Sequence, residues 1–410
     1  MTQRICRFCA APLTESFADL GMTPLSNAFV PPERAAAPER FYPLHAFVCS
    51  LCRLVQLDQA EPPQAIFRDY PYFSSYAESW LRHAERYAAA MMERFALGRS
   101  SRVVEVASND GYLLQFFHRA GIPVLGIEPA ENVACVARQR GIATDAAFFG
   151  CVTARRLRTQ GIEADLLVAN NVLAHVPALN DFVAGLGTLL HPDGVLTVEM
   201  PHLLRLIEGS QFDTIYHEHF SYFSLLAAQR IFAAHGLRVF DVAQLPTHGG
   251  SLRLFLCHAA CGAHKPHDTV DAVLAEERAA GLDGPHAYRR FAEQMVRSKC
   301  GLLDFCIAAR RAGQRMVGYG APAKGNTLLN YCGIGPEFLP FTVDRNPHKQ
   351  GMLLPGTRIP VRAPDSVMQA RPDYLLILPW NLRDEVMAQM AAIRDWGGRF
   401  VLPIPSVQVL

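Results

Sequence analysis

The sequence predicts an α/β chain in which two doubly wound units stand behind a small cysteine-rich module. Three observations lead there. Residues 103–112, "VVEVASNDGY", are an apolar run ending in a turn of small and polar residues, and "YLLQFFHRA" continues as a helix. The same strand–turn–helix pattern returns at "RMVGYGAPAKGNTLLNYC", about half the chain later. Two CxxC pairs precede both. Alternating strand and helix patterns imply parallel sheets with helices on both faces.

Composition sets the frame. The chain has 410 residues, enough for two or three domains, with 50% hydrophobic and 19% charged residues. That profile carries a substantial core and argues against disorder. A formal net charge of +1 leaves no basic footprint for a nucleic-acid backbone, so no nucleic-acid partner is expected. The first residues, "MTQRICRFCAAPL", lack an apolar signal-like stretch, and no run of 18 apolar residues occurs. A cytoplasmic protein with no membrane partner is the expectation. Eleven cysteines in a chain of this length suggest reduced thiols rather than a disulfide scaffold.

Cys6-Arg7-Phe8-Cys9 and Cys49-Ser50-Leu51-Cys52 are separated by thirty-nine residues. Together they offer four thiolates, the donor set of a closed tetrahedral zinc site. Four buried thiols or a redox pair is the alternative. Zinc is preferred because the pairs flank a short, proline-rich segment too small for a large core of its own. Such a site is structural, with no open position for chemistry.

Between the paired knuckles and the second α/β unit the elements follow in order. "IPVLGIEP" reads as a strand ending at Glu128, "ADLLVANNVLAHVP" as one ending at Asn170-Asn171, and "LNDFVAGLGTLLHPDG" as a helix before the strand "GVLTVEMP". Ligands of such sheets sit beyond the carboxyl ends of the strands. The turn Ala107–Gly111 brings backbone N–H groups to that edge, and Glu128 is placed to accept both hydroxyls of a ribose. The turn lacks GxGxxG, the pattern that seats a pyrophosphate, so a nucleoside without phosphates, S-adenosylmethionine (SAM), fits better than a nicotinamide dinucleotide. A ligand-free doubly wound turn is the plain alternative.

These motifs carry a resemblance. Glu105-Val-Ala-Ser-Asn-Asp-Gly111, the paired CxxC knuckles, "THGGSLRLFL" and "GYGAPAKGNTLLNYCGIG" are similar, in this order and across the whole chain, to SAM-dependent nucleotide-sugar C-methyltransferases, the C-3 enzymes most of all, with C-5 enzymes sharing the layout. The resemblance implies a zinc module over residues 1–68, a class I SAM methyltransferase domain of Rossmann-like fold over 69–285, and a C-terminal Rossmann-like domain over 286–410 that binds the nucleotide sugar. It implies SAM bound at Glu105, Ala107, Ser108, Asn109, Gly111, Glu128 and Asn170, structural zinc, and a nucleotide-linked 4-keto-sugar substrate. A monomer is expected.

"IYHEHFSYFS" crowds Tyr216, His217, Glu218 and His219 together. A carbon next to a ketone becomes a nucleophile only after losing a proton, which needs a base and donors for the enolate oxygen. The resemblance places the base at His219 and His175 beside it. Tyr216 is read as a donor to the ketone oxygen, Glu218 as an ionised group that orients a neighbour or binds a sugar hydroxyl or amine, and His217 as structural. A solvated loop or a pair of metal-binding histidines is the competing reading. The resemblance also puts one substrate-contacting tyrosine in "YPYFSSYAESW", where Tyr70, Tyr72 and Tyr76 compete and Tyr72 is preferred.

In the last unit, Gly318-Tyr-Gly320-Ala-Pro-Ala323 matches GxGxxA and Asp344 falls where a ribose-binding acid would. The resemblance turns this toward the substrate: Lys324, Asn326 and Thr327 would hold the diphosphate, with Asp344 and Trp380 near the same edge. The reading is base-assisted C-methylation. O- or N-methylation of a small metabolite, an NAD-dependent sugar oxidoreductase, and a non-catalytic binding module are the alternatives.

Overall fold

The structure, a computed structural model, describes residues 4–59, 61–62, 74–76 and 78–410. Tyr70 and Tyr72 lie outside the described residues, as does the side chain of Tyr76. The described chain builds three sheets.

The first sheet is antiparallel, in the order β1-β2-β3-β9, from β1 (Glu15–Thr23), β2 (Tyr42–Val48), β3 (Val55–Leu57) and β9 (Ser221–Tyr222). Its fourth strand comes from the middle of the chain: Val55 pairs with Tyr222 and Gln56 with Ser221. Phe17 of β1 stacks on Phe291 with ring centroids 4.7 Å apart, against the long helix His286–Arg311. That helix buries Phe291, Met295, Ser298, Leu302, Cys306 and Ala309, the three-to-four spacing of a helix with one apolar face.

The second sheet has seven strands in the order β10-β11-β8-β7-β4-β5-β6. β4 (Val103–Val106), β5 (Val124–Ile127), β6 (Thr144–Asp145), β7 (Ala164–Asn170) and β8 (Leu190–Pro201) run parallel. Every residue of β4 is buried, as expected of a strand covered on both faces. Strand order reverses between β4 and β7, so their carboxyl ends open a crevice. β10 (Leu237–Leu245) and β11 (Ser251–His258) add an antiparallel hairpin on the β8 edge, absent from the sequence reading. Its turn needs left-handed backbone at His248, Gly249 and Gly250, which explains the paired glycines of "THGG".

The third sheet, β14-β13-β12-β15-β16-β17, is parallel apart from its last strand. It contains β12 (Met316–Tyr319), β13 (Thr342–Val343), β14 (Val361–Arg362), β15 (Tyr374–Ile377), β16 (Arg399–Leu402) and β17 (Gln408–Val409). Its order reverses between β12 and β15, again beside a helix start at Ala323. No helix among the described residues is long and apolar enough to cross a membrane.

Helix Leu179–Leu189 crosses the start of helix Cys151–Thr159 at a glycine. A Cβ on Gly185 would lie 2.8 Å from the carbonyl carbon of Gly150, which is backbone and has no room to yield. Gly185→Ala is therefore expected to destabilise the protein by about 1–3 kcal/mol, read as a lower urea midpoint with unchanged slope.

Candidate active site

The four cysteines of the two knuckles converge. The sulfurs of Cys6, Cys9, Cys49 and Cys52 all lie within 4.8 Å of one another, with Cys6–Cys52 at 3.6 Å and Cys9–Cys49 at 3.5 Å. Tetrahedral zinc with bonds of about 2.3 Å separates its sulfurs by roughly 3.8 Å, so the donor set fits that ion. Gln56 Nε2 donates to Cys6 Sγ at 3.2 Å while Gln56 Oε1 accepts from the Arg7 N–H at 2.9 Å. Such outer hydrogen bonds fix a thiolate's orientation. All four positions are cysteine, so the centre is closed and its work is to hold the module together.

At the carboxyl ends of β4, β5 and β7 lies a cavity of about 640 Å³, walled by all three sheet units. The turn after β4 is tight: Ala107 and Asn109 take left-handed φ of 58° and 50°, and Gly111 77°. Non-glycine residues in that region carry strain that the surroundings must hold. Glu128, at the end of β5, supplies part of the restraint. Its carboxylate accepts from the Asn109 N–H at 3.0 Å and the Ala130 N–H at 2.9 Å. Ala107, Asn109, Glu128 and Asn170 line the cavity, as does Asn171. Asn170 Oδ1 and Asn171 Nδ2 are buried with no hydrogen-bond partner among the described residues, which leaves an acceptor and a donor for a polar ligand. This set fits SAM. Glu105, Ser108 and Gly111 lie beneath the turn and do not reach the cavity wall. Burial holds the Glu105 carboxyl well above the usual carboxylate range.

Tyr216, Glu218 and His219 enter the same cavity, while His217 turns away and bonds the Pro43 carbonyl at 3.2 Å. His219 Nδ1 donates to the Thr214 carbonyl at 2.9 Å, which leaves Nε2 as the acceptor of the Tyr216 hydroxyl at 2.8 Å. Burial, then the neighbouring His175, keeps the His219 imidazole well below its ordinary value, so it is neutral. His175 Nδ1 donates to the Glu218 carbonyl at 2.9 Å, and its ring lies 4.8 Å from that of His219. Burial brings His175 down to about 4. Glu218 is pushed up to about 7 by burial, against the opposing hydrogen bond from Asn27 and the charge of Lys349. Near neutral pH this carboxyl is therefore part acid and part carboxylate, rather than simply ionised as the sequence reading had it.

From the third sheet's side, Lys324 and Lys349 reach the cavity wall. Lys324 donates to Asn381 Oδ1 at 2.8 Å and sits 4.6 Å from the centre of the Trp380 ring. Trp380 does not line the cavity; its indole N–H donates to Asp213 Oδ2 at 2.6 Å. Asn326 and Thr327 are also off the wall. Consecutive helical positions point about 100° apart, and these two face the first module: Asn326 Nδ2 donates to the Ser26 carbonyl at 2.6 Å and Thr327 Oγ1 meets Ser26 Oγ at 3.3 Å. Asp344 accepts from the N–H groups of Ala321 and Asn346, both at 2.8 Å, and so braces its own turns.

Three family profiles cover the chain: a zinc binding domain over residues 6–67, a methyltransferase domain over 80–242 and a C-methyltransferase C-terminal domain over 246–405. The C-methyltransferase NovU of Streptomyces niveus is 37% identical over 405 residues, spanning 99% of this chain and 96% of that protein. The chain belongs to the C-methyltransferase family. It is a SAM-dependent C-methyltransferase with a zinc-binding module, and its substrate is a small molecule. The oxidoreductase and O- or N-methylating alternatives fall with that membership. Among solved structures, magnesium protoporphyrin IX methyltransferase of Synechocystis PCC 6803 is 15% identical with a TM-score of 0.34, over 43% of this chain and 79% of that one. The CcbJ methyltransferase of Streptomyces caelestis is 13% identical with a TM-score of 0.34, over 43% and 90%.

Several wall residues of this C-methyltransferase escaped the sequence reading: Asn27, Trp80, Tyr112, Tyr222, His248 and Lys349. Lys349 sits in "RNPHKQG", a few residues beyond Asp344, and its charge is the available signal. Asn27 had none.

Purified protein is expected to hold about one zinc per chain by metal analysis. Cys9→Ser should lower thermal stability while leaving SAM affinity, measured by calorimetry, close to that of the parent. A second expectation follows from Glu218. The folded state holds its proton up to about pH 7, whereas an ordinary glutamate releases it near 4.5. The folded form thus binds more protons across that window, and stability falls as pH rises through it. Glu218→Gln should remove that fall; denaturant titrations at pH 4.5 and pH 7.5 measure it.

Proposed function

We propose that this C-methyltransferase methylates the carbon next to the ketone of a nucleotide-linked 4-keto-deoxysugar, C-3 being the first position to test and C-5 the second. The reading rests on one observation: a neutral histidine whose acceptor nitrogen is held against a tyrosine hydroxyl inside the cavity. Methyl transfer to oxygen or nitrogen needs no base for a carbon-bound proton, because those atoms already carry a lone pair. Carbon does not, until its proton leaves.

In this reading the ketone oxygen takes the hydrogen bond of the Tyr216 hydroxyl. That exchange frees His219 Nε2 to accept the proton of the adjacent carbon, and Thr214 stays bonded to Nδ1 throughout. Negative charge then develops on the ketone oxygen, where the Tyr216 donor meets it. His175 packs against the His219 ring and fixes its plane. Bound SAM supplies the methyl group as an already activated sulfonium, at the turn made by Ala107, Asn109, Glu128 and Asn170. Lys324 and Lys349, at the cavity wall beside the helix start at Ala323, favour the diphosphate of the substrate. The chain acts as a cytoplasmic monomer, with residues 1–68, 69–285 and 286–410 as its zinc, SAM and nucleotide-sugar domains.

Mass spectrometry after incubation with SAM and a panel of dTDP- and GDP-linked 4-keto sugars tests the substrate class, and NMR of the product locates the new methyl group. His219→Asn should lower kcat by roughly 10²–10⁴ with SAM affinity intact. It should also abolish exchange of the α proton with deuterated water in the presence of an unreactive SAM analogue. Normal exchange in that variant would remove His219 as the base.

A further inference from the structure

Glu218 is held by a residue from another part of the chain. Asn27 Nδ2 donates to Glu218 Oε1 at 2.6 Å, and both line the cavity. Asn27 belongs to the loop that follows β1 in the zinc module. The loop does not hang free. Its Ser26 carbonyl takes the Asn326 amide at 2.6 Å, and Val30 and Leu353 exchange backbone hydrogen bonds at 2.9 and 2.8 Å. The ammonium of Lys349 lies 5.3 Å from the Phe29 ring centre. The loop is thus stapled on both sides of Asn27 to the C-terminal unit, and its tip touches the SAM unit.

We infer that Asn27 is a positioning residue for the methyl-transfer reaction, fixing the Glu218 carboxyl in the cavity so that the zinc module supplies a functional wall of the site. The inference rests on the reading of the reaction given above. An amide cannot change its charge between pH 5 and 9, so Asn27 acts in only two ways. It occupies one carboxylate oxygen, leaving the other for a sugar hydroxyl or amine. It also favours the ionised carboxylate, because a donor N–H stabilises the charged form. The other charged group facing Glu218 is Lys349; His175, His219, Lys324 and Tyr216 share the cavity. Glu218 itself is only 5% exposed, so a lost hydrogen bond there is not replaced well by water. The inference assigns the small first module a part in catalysis that its closed metal centre, taken alone, does not give it.

The test uses the full-length zinc-loaded enzyme, its Asn27→Ala, Asn27→Asp and Glu218→Gln variants, and the Asn27→Ala/Glu218→Gln pair. Aspartate keeps the shape of asparagine but loses the donor and adds a repelling charge, so it separates positioning from mere loop packing. With the dTDP- or GDP-linked 4-keto sugar that the parent turns over, Asn27→Ala should lower kcat/KM at least tenfold. Asn27→Asp should lower it further and move the Glu218-dependent limb of the pH profile upward by about one unit. SAM affinity and zinc content should stay unchanged in both. In the Glu218→Gln background Asn27→Ala should cost little more. An unshifted pH profile in Asn27→Asp, or the same Asn27→Ala loss with and without Glu218, overturns the inference. Should the parent methylate none of the sugars, the substrate reading fails and the thermal stability profile decides instead. Asn27→Asp should carry the Glu218-dependent fall in stability to higher pH, and coincident profiles for parent and Asn27→Asp overturn the inference independently.

Discussion

Removal from water pulls the acids and bases of the cavity in one direction, toward their neutral forms. The Glu218 carboxyl rises to about 7, the imidazole of His175 falls to about 4 and the ammonium groups of Lys324 and Lys349 are depressed; behind the wall, buried Asp213 rises to about 6. Hydrogen bonds and charges in the wall and just behind it then work as counterweights or restraints. Asn27 and Lys349 draw Glu218 back toward ionisation, and Lys324 with the Trp380 indole do the same for Asp213. His219 keeps its neutral tautomer because a backbone carbonyl holds Nδ1. In a site built this way the imidazoles of His175 and His219 meet the substrate neutral, and the Glu218 carboxyl is held toward its neutral acid. Charge that develops on a bound oxygen is consequently felt strongly by the nearby donors and cations.

That environment depends on three sheets meeting at one place. The second sheet contributes the reversal of strand order between β4 and β7, the third contributes the helix start after β12, and the first contributes a loop wedged between them. The contact of Phe17 with Phe291 and the staple of Ser26 to Asn326 anchor the first sheet from below and from the side. Zinc coordination acts on this arrangement from a distance, by fixing the small sheet from which the loop departs.

The parts legible in the sequence share a physical cause. β4, β5, β7 and β8 announce themselves because parallel strands covered on both faces are continuous apolar runs, and the cysteine pairs do so because thiolates at that spacing have few other uses. The hairpin β10–β11 stays hidden because its reversal depends on left-handed backbone at His248, Gly249 and Gly250, which "THGG" permits without requiring. Lys324, Asn326 and Thr327 were read together, yet helical geometry sends them to different neighbours, which no single-sequence pattern displays. In "YHEH" the irregular backbone puts His217 on Pro43 and its three companions into the cavity. Asn27 is one asparagine in a proline-rich loop, and its meaning comes entirely from a residue far along the chain.

The pairing of β3 with β9 also bears on how the chain is assembled. β3 leaves the ribosome well before β9, and until Ser221 and Tyr222 have been made, one edge of the small sheet has no strand to bond. An unpaired edge is a template for wrong partners, including other copies of the same nascent chain. Closing it requires most of the middle unit to exist first, so the small sheet is begun before that unit is made and completed only after it. Metal captured by the cysteine knuckles during that interval would keep the waiting strands folded and their register fixed, a protective role exercised before the enzyme has an active site at all.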